Sequence, residues 1–202
     1  MQLDYHGTIG IEVRAETGKN RLVGYAAVFN SLSKPLGGFR EVVAPGAFKR
    51  SLKERPDVFA LVDHDPRKRL ARVQNNSLRI SEDARGLNVE IDLPDTQTGK
   101  DLYAEVRDGL IDTMSFGFSA KRAGSDRWEK TGDQTLRTLV DVDLFEVSAT
   151  AFAAYEATKL QVATRSFQEW VEQQNVDSNA AARIAANARA SRMRMRLRLA
   201  AA

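Results

Sequence analysis

Up to about residue 150 the apolar positions recur mostly with a period of two, the mark of half-buried strands. Residues 8–16 (TIGIEVRAE) and 21–29 (RLVGYAAVF) flank Gly18-Lys19-Asn20, which predicts a β-hairpin. Ser31 to Gly38 is a loop rich in breakers, and Phe39 to Val43 is a short strand. Pro45-Gly46 opens a short helix over Ala47 to Glu54, since proline is tolerated in a first helical turn. Val58 to Asp63 is an apolar strand leading to His64, with a turn at Asp65-Pro66. Strands follow at 69–74, 77–82 and 86–93. The period then changes: Leu102 and Val106 share one face, Thr96 or Thr98 supplies a cap and Gly109 a left-handed exit, so Thr96 to Gly109 is a helix. Ile111 to Lys121 is a strand, Ala123 to Gln134 a polar loop and Thr135 to Ala149 a long strand. Many strands with two short inserted helices predict an α+β fold, a mostly antiparallel β-barrel.

After Thr164 the pattern fades. Gln and Asn accumulate, and an Ala/Arg-rich run closes the chain. The expected division is a domain at 1–164 and a basic tail at 165–202, helical or partly disordered. Its final Arg192-to-Leu199 alternation suits either a helix or an extended segment.

Composition refines this picture. Of 202 residues, 43% are hydrophobic, which supports a real core. There is no cysteine, so disulfides and thiolate metal sites are excluded, in keeping with a reducing cytoplasm. No apolar run reaches membrane-spanning length, and the first residues, MQLDYHGTIG, lack a signal-peptide pattern; a soluble intracellular chain is expected. The net charge of +3 is unevenly placed. Six arginines (183, 189, 192, 194, 196 and 198) and no acid or lysine lie in residues 178–202. The high pI therefore comes from the tail.

Candidate chemistry starts from scarcity. With two histidines and no cysteine, His64 is nearly alone in being able to exchange protons near neutral pH. Its place at the end of a strand sets the ring at a barrel or sheet rim, braced from below. His6, in a flexible terminal position, reads as a surface residue. In Asp112-to-Ser119, Met114, Phe116 and Phe118 point one way along a strand and Ser115, Gly117 and Ser119 the other. Gly117 removes bulk beside Ser115, which leaves the hydroxyl approachable by another backbone; a plain core strand fits the same pattern. In the following long strand, Glu146 falls in line with Val140, Val142 and Leu144, while Asp141 and Asp143 take the other face. A carboxylate in an apolar row needs a partner, either an arginine or the Nδ1–H of His64. Together these residues provide a base, a hydroxyl nucleophile and an orienting acid.

Several segments bear a resemblance, in order, over residues 8 to 160. Gly24-to-Phe29 (GYAAVF), Ala44-to-Phe48 (APGAF), Val62-Asp63-His64-Asp65, Leu93-to-Thr96 (LPDT), Gly109-to-Phe118 (GLIDTMSFGF) and Asp143-to-Ser148 (DLFEVS) resemble the prohead serine proteases of HK97-type tailed bacteriophages. The resemblance implies a serine endopeptidase that cleaves capsid and scaffold proteins inside the assembling prohead in the host cytoplasm. It implies a barrel of herpesvirus-protease type, with an acidic residue where the herpesvirus triad has a second histidine. His64 carries over as base and Ser115 as nucleophile. Glu146 carries over as the third member, with Asp141 and Asp143 as alternatives, and Arg137 as a contributor near the oxyanion. A shallow site and weak activity on isolated peptides are expected. The major capsid protein and scaffold are the implied substrates, with the portal and a homodimer as further partners.

No cofactor or metal is expected, since only carboxylate sites would remain. The arginine-rich tail suits a solvated face, docking to acidic scaffold or inner capsid surface, or phosphate contact. Aromatic residues are absent after Trp170, which argues against base stacking on a single strand. The rival reading is a non-catalytic capsid-assembly or scaffolding protein that keeps the protease fold.

Overall fold

The period-two segments become strands, and these group into three sheets. The computed structural model describes residues 4–7, 13–15, 20–54, 57–151, 172, 173 and 176. The first sheet contains β1 (Asp4–Gly7), β5 (Phe59–Val62), β6 (Asp65–Arg72), β9 (Thr113–Ser119) and β12 (Asp143–Thr150), in the order β1-β9-β12-β5-β6. The second has β2 (Val13–Ala15), β3 (Arg21–Val28), β7 (Leu78–Glu82) and β8 (Gly86–Asp92), ordered β2-β3-β8-β7. The third has β4 (Arg40–Val43), β10 (Asp126–Thr131) and β11 (Gln134–Leu139), ordered β10-β11-β4. Pairing is antiparallel except for β4 with β11 and β5 with β12. The fold is thus α+β and mostly antiparallel. Among the described residues the strands pair within three separate sheets.

Two helices accompany the sheets among the described residues between 20 and 151. Helix α1 (Lys49–Lys53) is shorter than the sequence suggests, and its entry is held by Glu82. The Glu82 carboxylate accepts from the backbone N–H groups of Gly46 at 2.8 Å and Phe48 at 3.1 Å. Helix α2 (Gln97–Arg107) buries Leu102 and Val106, the predicted i,i+4 pair. The Thr96 hydroxyl caps it by accepting from the Gly99 N–H, and Gly109 follows at φ 74°.

Two expectations need correction. The supposed polar loop at 123–134 contains β10, whose sequence DRWEKT is largely exposed and so carries no apolar alternation. As an outer strand of its sheet it contributes mainly backbone pairing to β11, around a turn at Gly132-Asp133. The supposed single strand from Thr135 to Ala149 is two, β11 and β12, in different sheets. The break falls at 140–142, where the Val140 and Asp141 N–H groups bond the Ser125 carbonyl at 2.8 and 3.1 Å.

The core is aromatic at its centre. Phe116 meets Phe48 edge-on at 5.2 Å and Phe118 at 5.2 Å, with Met114, Leu144, Val147 and Ala149 buried around them. Each such side chain contributes about 1.5–3 kcal/mol by leaving water. That packing makes β9 and β12 a rigid pair beneath whatever their opposite faces carry. The chain divides into two units, residues 1–163 and 164–202, and the strands described all lie in the first. The tail readings fall almost wholly outside the described residues; Glu172, Gln173 and Val176 are helical.

Candidate active site

His64 does not end a strand. It occupies the turn itself. β5 and β6 form a hairpin in which Val62 pairs with Asp65, leaving Asp63 and His64 as a two-residue loop. Both central residues have positive φ, 51° for Asp63 and 57° for His64. That is the twist-matched hairpin turn, and Asp and His are among the few non-glycine residues that enter it readily. Left-handed backbone still costs about 1–2 kcal/mol per residue, so the turn must be held from outside. Two contacts with β12 do this: the Asp63 N–H donates to the Ala149 carbonyl at 3.0 Å, and the His64 N–H to the Ser148 hydroxyl at 3.2 Å. The Asp65-Pro66 turn expected from sequence is the start of β6 instead.

Glu146 reaches the ring because β12 is irregular. Leu144 pairs with Phe118 and Glu146 with Gly117, so Phe145 is an extra residue in the ladder, a β-bulge. The bulge reverses the alternation expected from sequence. Leu144 joins Val147 and Ala149 on the aromatic side, opposite Phe118, Phe116 and Met114, while Glu146 and Ser148 stand on the side of Gly117 and Ser115. Glu146 Oε1 lies 2.5 Å from His64 Nδ1. Its other oxygen, Oε2, accepts from the Ser148 hydroxyl at 2.6 Å. A carboxylate in a buried position is tolerable only when its oxygens are so engaged.

Ser115 is the register partner of Ser148. Directly opposite residues of an antiparallel pair share a face with Cβ atoms about 4.5–5.5 Å apart. The Ser115 side is therefore the face over which Glu146, Ser148 and His64 converge. With Nδ1 against the carboxylate, a neutral ring carries its basic lone pair on Nε2, which is also buried. Ser115 is 0% exposed, and the His64 and Glu146 side chains are 5% and 7% exposed. The site is thus deep, not the shallow rim expected.

The remaining candidates lie elsewhere. Asp141 is gripped by Arg50 Nε at 2.9 and 2.8 Å, and Asp143 by Arg50 Nη2 at 2.7 Å, so both alternatives to Glu146 face α1. The two carboxylates hold the Arg50 guanidinium above its ordinary value, Asp141 most strongly. Arg137 belongs to β11 in another sheet, buried against Glu41 Oε2 at 3.1 Å and Asp126 Oδ2 at 2.7 Å. Its side chain is committed to these ion pairs in the third sheet, whereas His64, Ser115 and Glu146 lie on the first. The backbone of His6 lies in β1, opposite Phe116, rather than in a loose terminus. Ser148, which the sequence does not single out, is the residue whose hydroxyl touches both Glu146 and the His64 backbone. Its signal is a small polar side chain two residues beyond Glu146, between Val147 and Ala149 of the core.

A turn histidine braced by a carboxylate, above a strand serine, supplies the groups of serine-hydrolase chemistry. The family model of the caudovirus prohead serine proteases matches residues 10–173, and the chain belongs to that family. Among solved structures the chain is similar to the bacteriophage T4 capsid assembly protease, gp21, at 10% identity and a TM-score of 0.45, over 74% of this chain and 95% of that one. No curated protein sequence matches significantly.

Proposed function

We propose that this chain is a serine endopeptidase of phage head maturation, with Ser115 as nucleophile, His64 as general base and Glu146 as the acid that orients the ring. The observation that carries the reading is the 2.5 Å contact between His64 Nδ1 and Glu146 Oε1 on the face that Ser115 shares with Ser148. In the reaction His64 Nε2 takes the Ser115 proton as the oxygen attacks the peptide carbonyl. It then returns that proton to the leaving amine, and water releases the acyl group by the same route. Glu146 fixes the tautomer and stabilises the imidazolium without taking the proton itself.

Family membership supports capsid and scaffold proteins of the assembling prohead as substrates, acted on inside the prohead in the host cytoplasm. Contact with the portal and self-association belong to the same proposal. So does a barrel of herpesvirus-protease type, for which the support is the mostly antiparallel set of three sheets. The protease domain is taken as residues 1–164 and the tail as 165–202, which the division at residue 163 supports. Among the described residues no helix is long and apolar enough to cross a membrane.

The test is co-expression with the major capsid protein of the same phage, read by mass spectrometry. Wild type should yield a truncated capsid protein, and Ser115→Ala the intact one. Normal cleavage with Ser115→Ala would reject Ser115 as nucleophile, and no cleavage by wild type would leave the scaffolding role.

A further inference from the structure

We propose that Ser148 is a positioning residue of this site: its one hydroxyl ties the Glu146 carboxylate to the backbone beneath His64, so that the acid and the ring move as a unit. The inference rests on the serine-protease reading of His64, Ser115 and Glu146.

Three observations carry it. First, the hydroxyl is used in both directions, donating to Glu146 Oε2 at 2.6 Å and accepting from the His64 N–H at 3.2 Å. A carboxylate held at one oxygen can swing about its bond to the chain. Glu146, held at Oε2 by Ser148 and meeting the ring at Oε1, has its plane fixed. Second, the backbone that Ser148 holds is the unfavourable one, a pair of adjacent residues at φ 51° and 57°. A histidine in that turn points correctly only while the turn persists, so an anchor at its N–H acts on ring direction. Third, Ser148 is fully buried and stands opposite Ser115 across β9 and β12. It therefore joins base, acid and nucleophile strand at a single point. Alanine would suffice there if the only need were a small side chain, and a buried hydroxyl without such partners would be costly.

A residue that merely stabilises the strands would behave differently from one acting through Glu146, and the kinetics separate the two. The substrate is a peptide spanning the capsid-protein bond that wild type cuts. Ser148→Ala is expected to lower kcat about 10- to 100-fold with KM within about twofold. In a Glu146→Gln background the same change should cost less than about threefold, because the group it acts through is already disabled. Full additivity of the two substitutions, or a Ser148→Ala kcat within twofold of wild type, overturns the proposal. Should the alanine variant fail to fold, Ser148→Cys keeps the volume with a much weaker hydrogen-bonding group and should show the same loss. Ser115→Ala and His64→Ala run alongside: if either cleaves normally, the protease reading itself has failed. If both are inactive while Ser148→Ala is not, only the role of Ser148 falls.

Discussion

At Glu146 a single carboxylate answers two demands, since one oxygen meets an imidazole and the other a hydroxyl. The substitution Glu146→Gln keeps the shape and inverts the chemistry. An amide NH2 facing Nδ1 selects the ring tautomer whose basic lone pair is on Nδ1, leaving Nε2 protonated and unable to accept from Ser115. Cleavage of the capsid peptide should fall by about 10²–10⁴-fold while the variant stays folded. Progress curves at matched enzyme concentration check this, and retention of more than a tenth of the rate counts against an orienting acid. These three residues could be singled out without coordinates because each is rare in its setting: one usable histidine, a serine beside a strand glycine, an acid among aliphatics. The face of Glu146 could not. Simple alternation puts it with Leu144, and only the bulge at Phe145 turns it toward Ser115. A bulge has no period of its own, so nothing in the run DLFEVS announces one.

Elements with local signals are the most legible in the sequence. Helix α2 has a cap, an i,i+4 apolar pair and a glycine exit, all encoded within its own residues. β10 gives no signal because an exposed outer strand has no face to bury, and the 135–149 run hides its break because both sides of the break are apolar. The second sheet shows an element held by charge. On its polar side Arg79 and Arg21 converge on Asp92, with contacts of 2.7 Å from Arg79 Nη1 and 2.6 Å from Arg21 Nε. The Arg79 guanidinium foremost, then Arg21, holds the Asp92 carboxyl down at about 2. An unfolded aspartate titrates near ~3.9. The folded value is the lower one, so this pairing adds stability above about pH 4 and loses it as pH falls toward about 2. Arg79→Ala should therefore be less stable than wild type at pH 7, by under about 1 kcal/mol because the pair is two-fifths exposed. The gap should narrow at pH 2.5. Urea midpoints at the two pH values decide it, and a gap that stays constant refutes the assignment.

At the scale of the whole chain, charge and chemistry occupy different stretches. Every residue assigned to the site falls between 64 and 148, within the first unit, whereas the six arginines of 178–202 fall in the second. The family match ends at residue 173, so this arginine-rich segment lies beyond it. That separation allows a clean cut after Asp177. Without residues 178–202 the protein should cleave the capsid peptide at the wild-type rate, because no site residue is removed. It should, however, enter proheads poorly. A run of arginines with no acids suits an acidic scaffold or inner shell surface, and association of that kind weakens as salt screens it over a Debye length of about 8 Å at physiological ionic strength. The measurement is the number of protease copies per purified prohead, by quantitative mass spectrometry, for full-length and truncated chains carrying Ser115→Ala so that cleavage does not alter the particle. A several-fold drop on truncation, which shrinks at higher salt because the full chain then also loads poorly, is the outcome expected of a docking segment. Equal copy numbers would make the arginines a solvated surface and nothing more.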